Sequence, residues 1–172
     1  MIIECLTVGP FKENCYLIGD EKTKIGAVID PGDESDRILK MARNTGLNFQ
    51  FILNTHAHID HVCAVQAVKI ALKIPFYLHQ DDLILLQHLP EQAAMFGIRV
   101  DKVPDVDFFY NVTTPVRMGE LSAKILHVPG HSPGSIALHF ISENVIFGGD
   151  VLFNGSIGRT DLYGGDFDTL IN

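Results

Sequence analysis

The 172-residue chain is poor in cations: lysine and arginine number 13 against 21 acidic residues, for a net charge of −8. It contains no basic stripe or patch. An acidic surface repels a polyanionic backbone, so a nucleic-acid partner, and with it a nuclease role, is disfavoured. A small anionic substrate stays open, because one arginine fork can hold a carboxylate. Cysteine is also scarce. Cys5, Cys15 and Cys63 form an odd set without CxxC spacing. They read as reduced, mostly buried thiols, not as a disulfide framework or a zinc ribbon. No apolar run is long enough to span a bilayer. The best, Ile136 to Phe147, is broken by His139, Ser142, Glu143 and Asn144. The opening Met1-Ile2-Ile3-Glu4-Cys5 has no basic stretch ahead of an apolar one. No export signal is therefore read there, and a cytoplasmic location away from membranes is expected. Repeats, low-complexity tracts and linkers are missing too, so residues 1–172 read as one domain.

What is present is ordinary globular composition, 47% hydrophobic and 20% charged. Short apolar runs at Ile2–Val8, Cys15–Ile18 and Ile25–Ile29, punctuated by Gly9-Pro10, Gly19-Asp20 and Pro31-Gly32, predict strands. Ser35 to Thr45 predicts a helix, capped by Ser35 or Asp33 and stopped at Gly46. A buried strand over Phe49–Leu53, a helix over His61–Lys73 and a short strand over Phe76–Leu78 follow. A helix over Asp81–Phe96 is expected to break at Pro90. Strands then return over Phe108–Tyr110, Leu121–Val128, Ser135–Phe140 and Val145–Phe147, and a helical pattern resumes near Asp166. Strands, helices, then strands again suit two packed sheets with helices outside.

The densest chemistry is Thr55-His56-Ala57-His58-Ile59-Asp60-His61, directly after a buried strand. In extended chain, residues two apart point the same way, so His56, His58 and Asp60 can face one cavity, with His61 at the start of a helix. Imidazole and carboxylate ligands suit zinc, iron or manganese. Two weaker signals lie downstream. His131 sits in the turn Pro129-Gly130-His131-Ser132-Pro133-Gly134, and Asp150 follows Gly148-Gly149. Each is a polar residue on a glycine-flanked loop at a strand end, where site residues concentrate. Among the other histidines, His79 reads as structural and His127 as a residue that orients a ligand, while Asp81-Asp82 reads as a helix start.

The order Thr-His-x-His-x-Asp-His, Pro-Gly-His, Gly-Asp resembles the metallo-β-lactamase superfamily. Glu13-Asn14-Cys15-Tyr16-Leu17-Ile18, Ile29-Asp30-Pro31-Gly32 and Gly155-Ser156-Ile157-Gly158-Arg159-Thr160-Asp161-Leu162 resemble its glyoxalase II-like branch. The resemblance implies an α+β, four-layer αββα sandwich. It implies two divalent metals, most simply zinc, with iron or manganese as alternatives. His56, His58 and His131 would hold the first, Asp60 and His61 the second, and Asp150 would bridge them. The family's last histidine has no counterpart here, since none follows His139. The expectation is therefore a C-terminally shortened sandwich without its closing strand and helix, and an incomplete second metal site. The chemistry implied is thioester hydrolysis by a metal-bound hydroxide oriented by Asp60, with Arg159 contacting a substrate of the S-2-hydroxyacylglutathione type. Two competitors follow from the same residues: a persulfide dioxygenase with one iron on His56, His131 and Asp150, and an inactive metal-binding fragment. A β-lactamase proper is disfavoured by the lack of an export signal.

Overall fold

A computed structural model of the chain describes residues 1–98, 100 and 102–172. Strands β1 (Ile2–Val8) and β2 (Glu13–Gly19) form a hairpin, and β3 (Ile25–Ile29) pairs antiparallel with β2. After helix α1 (Ser35–Thr45), strand β4 (Asn48–Leu53) lies parallel to β3. Strands β5 (Phe76–Leu78) and β6 (Phe108–Phe109) extend this parallel half, giving a six-stranded sheet in chain order. Helices α2 (Ile59–Val62) and α3 (Val65–Leu72) connect β4 to β5, and α4 (Leu83–Gln87) and α5 (Leu89–Met95) lie between β5 and β6. The second sheet is antiparallel, built from β7 (Val116–Met118), β8 (Leu121–His127), β9 (Ile136–Phe140) and β10 (Val145–Phe147) in the order β10-β9-β8-β7. A two-stranded ribbon, β11 (Leu152–Phe153) and β12 (Ser156–Ile157), and a short helix α6 (Phe167–Ile171) complete the described elements.

The alternation of the strands explains the layers. Leu17, Val28 and Ile52 point to one side of the first sheet and pack with Ile38 and Ala42 of α1, Val65 and Val68 of α3, and Leu85 and Leu89 of the later helices. Their neighbours Ile18, Ala27, Ile29 and Leu53 point to the other side and pack on Ala123, Ile125, Ile136, Leu138 and Phe140 of the second sheet. Strands buried on both faces read as continuous apolar runs, as these do. The outer face of the second sheet carries Lys124, exposed, and Ile146, 56% exposed. Among the described residues the layers thus run helices, first sheet, second sheet, which is the αββ part of the sandwich that the resemblance implies.

Several elements differ from expectation. The predicted helix over residues 61–73 is two helices, α2 and α3, separated at Cys63-Ala64, where the Ala64 amide donates to the Pro31 carbonyl at 3.0 Å. The second helical stretch breaks at His88, not at Pro90, because Pro90 occupies the first turn of α5, where a missing amide costs nothing. Neither Ser35 nor Asp33 caps α1; Glu34, with φ 51°, precedes it without a side-chain cap bond. Gly46, with φ 67°, does end it. Strand β7 and the ribbon have too few residues to show a period. Of the thiols only Cys15 is buried; Cys63 is half-buried and Cys5 exposed. No helix is long and apolar enough to cross a membrane.

Candidate metal centre

The centre forms where the sheets' connecting loops meet. Strand β4 delivers the chain to Asn54, and His58, extended at φ −70° and ψ 154°, leads into α2. His56 and His58 therefore project to one side, and Asp60 and His61 follow in the first turn. His131 comes from the turn between β8 and β9, and Asp150 from the 3-10 turn after β10. His131 Nε2 lies 2.9 Å from His58 Nδ1 and 3.1 Å from His56 Nε2. Four-coordinate zinc with nitrogen ligands has N···N edges of about 3.3 Å, so this triangle is near the size a metal needs. His61 Nε2 lies 3.3 Å from Asp150 Oδ1 and 3.9 Å from Asp60 Oδ2, while Asp150 Oδ2 lies 3.9 Å from His131 Nε2. The two oxygens of Asp150 thus face the two groups separately. The structure brings together all six residues singled out in the sequence.

Electrostatics favour the ligating form of the first group. Burial, helped by the neighbouring imidazoles, holds His56 well below the usual histidine range and His58 down to about 3, so both are neutral with lone pairs available. Around His61 the balance reverses. Burial opposes its charged form, but Asp30 and Asp150 outweigh it and raise the histidine. Burial, with Asp30, Asp60 and Asp150 adding repulsion, pushes Glu13 up to about 9. His61 Nε2, buried and without a hydrogen-bond partner, faces the Asp60 and Asp150 carboxylates. An unpaired buried group of this kind is costly, and a cation among these ligands supplies the missing partner. The donor set therefore fits divalent metal.

Behind the ligands stands a frame that the sequence did not announce. Asp30 accepts the Thr55 amide and hydroxyl, both at 2.7 Å, and its Oδ2 lies 3.1 Å from His61 Nδ1. The Thr55 hydroxyl in turn meets His56 Nδ1 at 3.0 Å. Asn54 donates to the His61 carbonyl at 2.7 Å. Asp82 does stand at a helix start, directly before α4, and its side chain is fully buried and joins two ligand loops. It accepts the Ala57 amide at 2.8 Å, the Ser132 hydroxyl at 2.9 Å and the Gly134 amide at 2.5 Å. The local cap belongs to His79, whose ring accepts from the Asp81 amide. His127 lies face to face with His79 at 4.1 Å and reaches the Pro133 carbonyl at 2.8 Å, which steadies the loop carrying His131. Two glycines are sterically required. A Cβ on Gly32 would come 1.6 Å from the Asp60 carbonyl, and one on Gly158 would come 1.7 Å from the Asp150 carbonyl.

Arg159 is beside the centre, but its side chain is engaged. Its Nε and Nη2 each donate at 2.7 Å to the two oxygens of Asp161. Its carbonyl accepts from His131 Nδ1 at 2.8 Å, which leaves Nε2 of that ring as the lone-pair nitrogen facing the other histidines. A cavity of about 350 Å³ opens on this side, with His58, Asp60, His131 and Asp150 in its lining. A second, of about 330 Å³, adjoins it at Phe11, Asp60 and Asp150 and is lined further by Glu13 and His61.

Residues 8–172 match the metallo-beta-lactamase superfamily. The chain belongs to the metallo-beta-lactamase superfamily. It is 38% identical over 174 residues to the hydroxyacylglutathione hydrolase GloC of Haemophilus influenzae, covering 100% of this chain and 82% of that protein. The crystal structure of TTHA1623 in a di-iron-bound form superposes with a TM-score of 0.88 at 39% identity, covering 98% of this chain and 82% of the other. That of the BLEG-1 B3 metallo-beta-lactamase superposes with a TM-score of 0.90 at 34% identity, covering 99% and 82%. The fold is thus that of a superfamily of metallo-hydrolases that hold paired metals at histidine-rich sites.

Proposed function

We propose that this chain is a thioesterase that hydrolyses small-molecule thioesters at a dinuclear centre. In this reading His56, His58 and His131 hold the first metal, Asp60 and His61 the second, and Asp150 lies between them. The observation that carries it is that Asp150 lies 3.3 Å from His61 Nε2 and 3.9 Å from His131 Nε2, and that residues of both ligand groups border one cavity large enough for a small substrate. The likeness to a hydroxyacylglutathione hydrolase supports a thioester as the bond cleaved.

Two divalent cations, when bound, supply a water of lowered pKa and positive charge for the carbonyl oxygen. Asp60 orients that water and takes up a proton from it at its carboxylate. The oxygen adds to the thioester carbon, the C–S bond breaks, and sulfur departs with the electron pair. The water's two protons pass to Asp60 and solvent and the departing thiolate takes one back from solvent, so the products are a carboxylate, a thiol and one released proton. A thiol of pKa about 8.5 leaves without a dedicated acid, whereas an amide nitrogen needs one. Loop closure is not required for His131, because the Arg159 carbonyl already fixes its tautomer. Arg159 lines the cavity and is the proposed contact for an anionic substrate, on condition that Asp161 releases it.

The test is metal content by elemental analysis alongside two assays. About two metals per chain with thiol release from S-lactoylglutathione or a simpler thioester is the expected result. Turnover of a chromogenic β-lactam without thioester cleavage would replace the reading with a lactamase, to which the BLEG-1 likeness points. No metal and no turnover of either would end it.

A further inference from the structure

The cavity beside the metal centre has a chemistry of its own. Its wall away from the ligands is formed by Phe11, Ile59, Leu85, Met95, Phe96 and Tyr163. These come from three separate places: the turn between β1 and β2, the helices α2, α4 and α5, and the loop after Arg159. Phe11 and Phe96 meet edge to face at 4.9 Å across the wall. Met95 is 79% exposed and Tyr163 68%. Exposed large apolar side chains that converge on a catalytic centre mark a surface that a ligand covers.

The polar side chains of the same lining are partly engaged within the protein. The Gln92 amide donates to the Leu85 carbonyl at 2.7 Å. The Arg159 guanidinium gives Nε and one Nη2 N–H to the two oxygens of the Asp161 carboxylate. Beyond the metal-centre residues, the described lining leaves over Gln92 Oε1, the remaining Arg159 N–H groups and the Tyr163 phenol at the solvent edge. A glutathione moiety brings two carboxylates and an ammonium, and against these the lining sets only those few groups, beside the carbon surface of Phe11, Ile59, Leu85, Met95 and Phe96. An aliphatic or aromatic group offers the reverse match: carbon to cover carbon, and no charge to strip of water.

We infer that the cavity selects thioesters with an apolar arm, which lies against Met95, Phe96 and Phe11 while the carbonyl sits at the metal centre. The inference rests on the thioesterase reading and narrows its substrate class. The bond cleaved and the products are unchanged. Only the group attached to the carbonyl or to the sulfur is specified.

The experiment varies one arm at a time on the metal-loaded chain. S-acyl-N-acetylcysteamine thioesters from acetyl to hexanoyl vary the acyl arm, and S-alkyl thioacetates vary the thiol arm. The expected result is a rise in kcat/KM of about two- to fourfold per methylene in one of the two series, as burial of each CH2 predicts. Met95→Glu and Phe96→Glu place a charge on the wall at exposed positions, so the hexanoyl-to-acetyl ratio falls, by about fivefold or more. Flat or falling series in both arms overturn the inference while leaving thioester hydrolysis standing. If no thioester is cleaved, the affinities of n-alkyl mercaptans from ethyl to hexyl, measured by calorimetry, read the wall without turnover. Affinities that do not climb with chain length overturn it on that route as well.

Discussion

The Asp82 carboxylate and the Ser132 hydroxyl, 50 residues apart, meet at 2.9 Å beneath the three-histidine group. With the Ala57 and Gly134 amides on the same carboxylate, this contact ties the loop of His56 and His58 to the loop of His131. Burial raises Asp82, and the three donors pull it back towards the ionised form. Asp82→Asn replaces an acceptor by an amide whose NH2 meets donors. We expect a loss of about 2–4 kcal/mol in denaturant unfolding and about 10–100-fold weaker metal binding, read by chelator competition. Unchanged metal affinity would show that Asp82 supports the fold alone.

The two ligand groups differ in donors: three buried imidazoles in one, an imidazole and two partly exposed carboxylates in the other. Loading is therefore expected in two steps, the nitrogen-rich site filling first with zinc. His61→Ala is predicted to retain about one metal per chain, and His131→Ala to lose the tight site. Stripping metal with a chelator lowers the Tm, since a ligand at about 1,000 times its Kd contributes about 4 kcal/mol. A Tm indifferent to chelation would mean that the groups hold no metal in the folded chain.

Asp161 controls whether Arg159 has a free charge. Asp161→Asn removes the bidentate partner without removing bulk. The expected outcome is a KM for S-lactoylglutathione lowered by about three- to tenfold, with little change for uncharged thioesters. Arg159→Ala would cancel that gain. Equal effects on charged and uncharged substrates would place Arg159 outside the binding surface.

Far from the centre, Asp20 links the hairpin of β2 and β3 to the turn before β8. It accepts the Glu120 amide at 2.7 Å, the Lys22 amide at 2.9 Å and the Thr23 hydroxyl at 2.8 Å. The Glu120 and Lys22 amides lead in lowering its carboxyl to about 2 from 3.8. A depressed folded-state pKa gives stability that is complete above the unfolded value and disappears as pH falls through the folded one. Asp20→Asn should therefore lower the Tm by about 4 °C at pH 7 and by progressively less between pH 4 and pH 2. A pH-independent difference would contradict the assignment.

The ligands were legible because they sit close together in sequence, His56 to His61, or on glycine-flanked turns at strand ends, His131 and Asp150. Their support was not. Asp30 and Asp82 act at a distance of 25 to 52 residues through side-chain hydrogen bonds, which leave no period and no spacing. The long strands and α1 followed from patterning, whereas β7 and the β11–β12 ribbon exist through pairing to partners, a tertiary effect. Arg159 was identifiable as a residue near the site. That its charge is taken up by Asp161 and its carbonyl by His131 depends on a loop conformation that residue types alone do not specify.

The close approaches of Gly32 to the Asp60 carbonyl and of Gly158 to the Asp150 carbonyl divide the neighbourhood into two classes of position. Ligand loops are wedged against backbone that admits no added carbon. Met95, Phe96 and Tyr163 project from the molecular surface, where side chains of other sizes fit without moving those loops. A lineage or a mutagenesis library can therefore exchange one leaving group or acyl chain for another by altering the rim, while the hydrolytic apparatus is inherited intact. Diversity of substrates on a constant reaction is the outcome this division permits.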